Sequence, residues 1–189
     1  MSKLPIDFSR SRNKTYLRPK YKKPPQEAKD RAENNRLDNE ILRVYTDASG
    51  MLGPGLFGLA ACYVGQGDVT VKTKKLYDAT QKKSVSDAEL ESVIFALNEL
   101  PVIIGKRSIR PSQVFIYNDQ DRLRNYMSSE SFSEKETPLK HIQQSRQKCE
   151  HICPDVSLSI DYITKQDRKF NPHYAAAHNG SRNVLKAKR

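Results

Sequence analysis

The sequence predicts an α/β fold behind a basic arm, with elements in the order β-β-β-α-β-α-α-β-α. Three observations predict it. A length of 189 residues suits one domain plus an extension. Apolar residues make up 37% of the chain, which is low for a wholly globular protein but sufficient for one core. The hydrophobic period also changes from two to 3.6 after three successive strand-like segments.

Each element follows from its own pattern. Ile41–Ala48 alternates, with Leu42, Val44 and Thr46 on one face and Ile41, Arg43, Tyr45 and Asp47 on the other. Turn residues run from Gly50 to Gly55, and Leu56–Val64 is a near-continuous apolar run, which suits a buried strand. Gly65-Gln66-Gly67-Asp68 turns the chain into Val69–Tyr77, which alternates again. Three strands with short links predict an antiparallel meander. Ser86–Leu100 then places Leu90, Val93, Ile94 and Leu97 at i, i+3, i+4 and i+7, an amphipathic helix. Gln113–Asn118 is a short buried strand, and Asp121–Met127 is expected to be helical. Ser128–Thr137 is a polar loop. Pro138–Ile152 carries Leu139, Ile142, Cys149 and Ile152 at helical spacing, and Val156–Ile163 alternates as a strand. Asn171-Pro172 opens the last helix, with Asn as cap and Pro in the first position.

The net charge of +11 is unevenly placed. Residues 1–36 carry +7 and residues 182–189 carry +4, so the stretch between them is neutral. Residues 1–36 are therefore expected to form a basic, Pro-containing arm, disordered or loosely docked through residue 25, and 37–189 the folded domain with a short basic tail. Gln26–Arg36 could form a solvated helix. In the arm, Tyr16 and Tyr21 interleave with Arg18, Lys20, Lys22 and Lys23, a mixture that can track phosphates and stack bases, or merely keep the chain soluble. A cationic balance of this kind favours nucleic acid as partner.

No apolar run approaches the ~20 residues of a membrane span, and the first seven residues lack a signal-peptide core. Neither membrane insertion nor secretion is expected. Three cysteines, Cys62, Cys149 and Cys153, fit reduced thiols in a cytoplasmic protein better than a disulfide framework. Cys149-x-His151-x-Cys153 reads as thiols near a helix end rather than a metal site.

Three acids stand out by position. Asp47 ends the first strand, Glu89 lies in the first turn of the amphipathic helix, and Asp119 directly follows the strand Gln113–Asn118. Such positions can converge at one edge of an α/β sheet. Gathered carboxylates repel one another unless cations neutralise them, and Mg²⁺ is the usual occupant of hard oxygen sites. Two such ions can activate a water and stabilise the leaving oxygen in phosphodiester cleavage. Singly, each acid is more readily a turn, cap or dipole residue; the three in this topological order favour a site.

The chain here resembles the ribonuclease H family. The resemblance rests on Val44-Tyr45-Thr46-Asp47-Ala48-Ser49 before the Gly-rich turn, Ala88-Glu89-Leu90 through Ala96-Leu97, and Phe115-Ile116-Tyr117-Asn118-Asp119, together with the element order. It spans roughly residues 40–185. It implies a mixed five-stranded sheet flanked by helices, with Asp47 as the central metal carboxylate and Glu89 and Asp119 on either side. Glu91 is the competitor to Glu89, but Glu89 is the acid that precedes the Leu90-x-x-Val93-Ile94 stripe. The fourth position departs from the pattern. Where the family carries Asp in an Ala-Asp-x-Leu-Ala-Arg-like string, alignment on Pro172 places His178, with Arg182 on the basic position one turn later. Imidazole is a softer ligand that suits Mn²⁺ better than Mg²⁺. The loop before the last helix, Thr164–Phe170, holds no His of the kind many members carry; Arg168 is nearest. Ser128–Thr137 likewise has no counterpart of the family's basic protrusion.

The resemblance thus implies a monomeric endoribonuclease that cuts the RNA strand of RNA–DNA hybrids with Mg²⁺ or Mn²⁺, two ions per site, leaving 5′-phosphate and 3′-hydroxyl ends. Asp47, Glu89, Asp119 and His178 are the expected catalytic and metal residues. Ser49, Asn118, Arg18, Lys20, Lys22, Lys23 and Arg182 are the expected nucleic-acid contacts. The alternatives are a binding module that kept the fold and lost turnover, and another nuclease of the same fold.

Overall fold

The protein is described by a computed structural model, which covers residues 23–51, 55–80, 82–121, 123 and 137–186. The elements are α1 (Gln26–Leu37), β1 (Ile41–Met51), β2 (Leu56–Gly65), β3 (Asp68–Tyr77), α2 (Val85–Gly105), β4 (Gln113–Asn118), α3 (Thr137–Ile152), β5 (Ser157–Tyr162), α4 (Lys165–Arg168) and α5 (Pro172–Lys186). The strands form one five-stranded sheet in the order β3-β2-β1-β4-β5. The first three pair antiparallel, as the short turns require, and β4 and β5 run parallel to β1. The mixed five-stranded sheet expected from the sequence is therefore present. The Asp121–Met127 helix, the Ser128–Thr137 loop through residue 136 and the arm through residue 22 fall outside the described residues, apart from Asp121 and Leu123. Among the described residues no helix is long and apolar enough to cross a membrane.

The sheet separates two packed layers. On one face Leu42, Val44, Ile116 and Ile160 pack with Leu90, Val93, Leu97 and Ile142 from α2 and α3. On the other, Tyr45, Cys62, Val64, Ile163 and Ala177 form a smaller core beneath α5. β2 is sandwiched between the layers, which is why it reads as an unbroken apolar run. Its hairpin to β3 turns on Gln66 and Gly67, both at positive φ (51° and 78°), as a two-residue primed turn demands.

Several boundaries differ from the sequence reading. β1 continues to Met51, paired throughout with β2, so Asp47 sits inside the strand rather than at its end. α2 runs through Pro101 to Gly105, because Ile103 and Ile104 bury against the core and hold the last turn in place. Its start is set by a capping box. The Ser84 hydroxyl accepts from the Asp87 amide at 3.1 Å, and the Asp87 carboxylate accepts from the Ser84 amide at 3.1 Å. With Val85 first, Glu89 opens the second turn rather than lying in the first. In α3, Ile152 is exposed at the helix end, where the chain turns away from the core. Gln26–Arg36 is helical, as expected, and it packs onto the domain: Ala28 is buried, and the His173 ring Nε2 lies 3.1 Å from the Ala32 carbonyl.

Small residues let α5 lie close to the sheet. A Cβ at Gly58 would stand 2.0 Å from the Ser181 carbonyl, and one at Gly180 would stand 3.2 Å from Ala60. This contact sets how deeply the side chains of α5 reach toward β1. Gly58→Ala is expected to destabilise the fold by about 1–3 kcal/mol through overpacking. Urea unfolding checks this, and unchanged stability would show that α5 tolerates displacement.

Candidate active site

Asp47 projects from β1 toward α5 and is only 3% exposed. A buried carboxylate needs partners, and α5 provides three. The Ser181 hydroxyl donates to Oδ2 at 2.5 Å, His178 Nδ1 stands 3.1 Å from Oδ1, and the Tyr174 hydroxyl reaches Oδ1 at 3.4 Å. Residues 174, 178 and 181 follow the i, i+4, i+7 spacing of one helical stripe. The helix starts where expected, with the Asn171 side-chain oxygen accepting from the amides of His173 and Tyr174 at 3.0 and 3.1 Å. The cap thereby fixes the rotation of that stripe.

Asp119 lies just past the end of β4, where the parallel pairing with β1 brings it beside Asp47. The Tyr174 hydroxyl donates to it at 3.1 Å and so bridges both aspartates. The Arg168 guanidinium forms an ion pair with the same Asp119 oxygen, and its Nη1 stands 3.2 Å from the Tyr174 hydroxyl. Arg168 also lies over the Tyr174 ring, 5.4 Å from its centre, and that ring stacks on His178 at 6.3 Å. A short stack of cation, phenol and imidazole therefore covers the aspartates.

Glu89 enters from α2 on the far side. Its Oε2 accepts from the Ala48 amide at 3.0 Å and from the Asn118 side-chain amide at 3.3 Å. Burial, then the nearby charges of Asp47 and Asp119, push the Glu89 carboxyl up to about 9, against the pull of these two donors. The three acids thus share one electrostatic field. Glu91, the competing acid, pairs with Lys83 instead.

Among the described residues no three His, Cys, Asp or Glu side chains stand together in a metal-holding arrangement. The Asp47 and Asp119 oxygens are held by Ser181, His178, Tyr174 and Arg168. The donor chemistry nevertheless suits a divalent cation. Three hard carboxylates of like charge and one imidazole lie around the central strands β1 and β4, and Arg168 shows that a positive group is already drawn there.

No protein-family model matches the chain, and no curated protein is similar to it in sequence. Solved structures are similar in architecture. RNase H1 from the halophilic archaeon Halobacterium salinarum NRC-1 is 14% identical, with a TM-score of 0.50 over 78% of this chain and 99% of that one. LC11-RNase H1, isolated from compost by a metagenomic approach, is 15% identical, with a TM-score of 0.53 and the same two shares. The complex of LC11-RNase H1 with an RNA/DNA hybrid gives 16% identity and a TM-score of 0.51 over 76% and 99%. The chain has a ribonuclease H-like fold.

On this ribonuclease H-like fold the other sequence-predicted contacts divide. Asn118 is fully buried, and its amide serves Thr46, Ser92 and Glu89. It positions Glu89 and has no surface to offer a nucleic acid. Ser49 is partly exposed in the β1–β2 ladder, and Arg182 is exposed on α5. Lys23 is exposed, whereas Arg18, Lys20 and Lys22 lie outside the described residues. Sequence reading missed Tyr174 and Ser181. The polar stripe 174/178/181 on an otherwise Ala-rich helix was the signal that could have found them.

The raised Glu89 predicts a pH dependence of stability in metal-free protein. The unfolded chain releases this proton near 4.5, the ordinary value of a glutamate, whereas the folded state keeps it until about 9. Between those values the folded state binds more protons than the unfolded one, so stability falls as pH rises. Glu89→Gln removes this loss. In EDTA it should match wild type near pH 4.5 and exceed it increasingly toward pH 9 in urea unfolding. A constant gap across that range would mean that Glu89 is not perturbed.

Proposed function

We propose that the chain is a divalent-metal-dependent endoribonuclease that cuts the RNA strand of RNA–DNA hybrids, leaving 5′-phosphate and 3′-hydroxyl ends. The placement of Asp47 and Asp119 on and just past the neighbouring strands β1 and β4, with Glu89 reaching β1 from α2, carries this reading. That LC11-RNase H1 has been solved with an RNA/DNA hybrid supports the choice of substrate. The carboxylates, with His178, would hold Mg²⁺ or Mn²⁺, which when bound supplies an activated water and stabilisation of the leaving oxygen.

The chain's own residues have separable tasks. Ser181 fixes the Asp47 carboxylate on its Oδ2 side, and Asn118 with the Ala48 amide fixes Glu89. His178 turns Nδ1 to Asp47, and with the hydrogen on Nδ1 its Nε2 is left to serve either as a metal ligand or as a proton acceptor, one role excluding the other. The imidazole is 40% exposed, so Nε2 can exchange protons with solvent or with a leaving group. Arg168 places a fixed positive charge at the same mouth, where an anionic phosphate would approach. Discrimination of RNA from DNA would come from contacts to the 2′-hydroxyl in the shallow minor groove.

A second reading is favoured by one observation. Arg168 and Tyr174 occupy Asp119, so the fold could serve as a nucleic-acid-binding module with little turnover. Cleavage of an end-labelled RNA–DNA hybrid in Mg²⁺ and in Mn²⁺ separates the two. Wild type is expected to cut, with more activity in Mn²⁺. Asp47→Asn should lose at least about 100-fold, and His178→Ala about 10- to 100-fold if the imidazole moves a proton. Binding without cleavage in either metal would replace the enzyme reading with the module.

A further inference from the structure

A cleft of about 410 Å³ lies between α1, the sheet and the segment that leads into α5; none of the three carboxylates lines it. Nothing in the proposed chemistry uses it. Its floor follows from strand register. Tyr45 on β1 pairs with Tyr117 on β4, and Tyr117 pairs with Asp161 on β5. Tyr45 and Tyr117 stand two residues before Asp47 and Asp119, so they lie on the same face, roughly 6–7 Å below the carboxylate row.

The floor is aromatic. The Tyr45 and Tyr117 rings stack at 5.5 Å with 22° between their planes, and Phe115 continues the row at 6.3 Å from Tyr117. Tyr45 is nearly buried and backs Tyr117, whose ring is partly open. A second cavity of about 490 Å³ adjoins the first, and Ala28, Arg31 and Phe170 line both. Phe170 has φ of 63°, a left-handed conformation that is uncommon for a bulky residue and marks a locally held segment.

Charge is graded along this path. At the inner cavity, beside Tyr117, the acceptor oxygens of Asp161 and Asp167 are balanced by Arg31 and Arg43. The outer cavity adds Lys165 and Lys169 to the shared Arg31, against the single acid Glu27, all exposed, so the path becomes more cationic outward. A nucleotide has the matching polarity: a flat base with amine donors at one end and an anionic phosphate at the other. The inner volume lies within the range of small-ligand sites.

We propose that this cleft seats one nucleotide unit of a nucleic-acid strand, with the base on Tyr117 and the phosphate toward Arg31 and Lys169, next to the carboxylate centre. The site deepens the nucleic-acid reading above without depending on turnover. Stacking on an aromatic floor is sequence-tolerant, so an unpaired strand is the matching partner.

The test uses the full-length Asp47→Asn protein in EDTA, so that nothing is cut. Fluorescein-labelled (dA)₈ is titrated by anisotropy against this background and against the same protein carrying Tyr117→Ala or Arg31→Glu. Each added substitution should weaken binding at least fivefold; loss of one stacked base corresponds to roughly 5- to 150-fold. Arg31 is exposed and outside the core, so that variant keeps the test valid if Tyr117→Ala alters the sheet. AMP is added as competitor. Displacement of (dA)₈ that is sensitive to the same substitutions places free nucleotide in the cleft as well, whereas no displacement leaves the strand as its source. Equal (dA)₈ affinity in all three proteins overturns the proposal, as does loss only in a Tyr117→Ala protein whose circular dichroism shows unfolding. Hybrid cleavage by protein with Asp47 intact is read in parallel. Cleavage with no variant-sensitive (dA)₈ binding removes the cleft and keeps the enzyme, and the converse result removes the enzyme and keeps the cleft.

Discussion

A carboxylate in the middle of a sheet, with almost no access to water, is the constraint on which the rest of this structure depends. Asp47 can sit there only because α5 brings a hydroxyl, an imidazole and a phenol to its two oxygens. That requires the helix to lie against β2 and β1 at short range. Gly58 and Gly180 make the approach possible, and the Asn171 cap fixes the rotation of the helix. Packing, capping and site geometry are therefore one problem with one solution.

The other two acids are placed by different means. Asp119 comes from the parallel register of β1 and β4, and Glu89 from a capping box that counts residues into the second turn of α2. Their convergence concentrates negative charge, and burial at Glu89 makes that charge costly. The protein offsets part of the cost with Arg168, Tyr174 and Asn118.

Much of the fold was legible because its periods were clean. The alternation in β1, the unbroken run in β2 and the Leu90/Val93/Leu97 stripe each follow from which faces are buried. Boundaries failed where tertiary packing overrode local signals: buried Ile103 and Ile104 carry α2 past Pro101, and pairing with β2 extends β1 past Asp47. The acids were legible as end-of-strand and start-of-helix residues, whereas the role of Asn118 was not. A strand-terminal amide looks the same in sequence whether it faces solvent or a buried glutamate. Tyr174 and Ser181 are hidden for a related reason: a phenol and a hydroxyl on a helix carry no signal until the helix is known to face Asp47. In sequence Arg168 is only a basic residue in the loop before the last helix, and its hold on Asp119 comes from the geometry of α4. The cleft over Tyr45 and Tyr117 depends on how α1 packs, which no local pattern encodes.

The central claim is that Asp47, Glu89 and Asp119 form one coupled site. Carbon-13 NMR titration of the Glu89 side-chain carboxyl in metal-free protein tests it most directly. The account predicts titration near 9 in wild type and a clear downward displacement in Asp119→Asn, where one of the two neighbouring charges is gone. A Glu89 carboxyl that titrates near 4.5 in both proteins would contradict it.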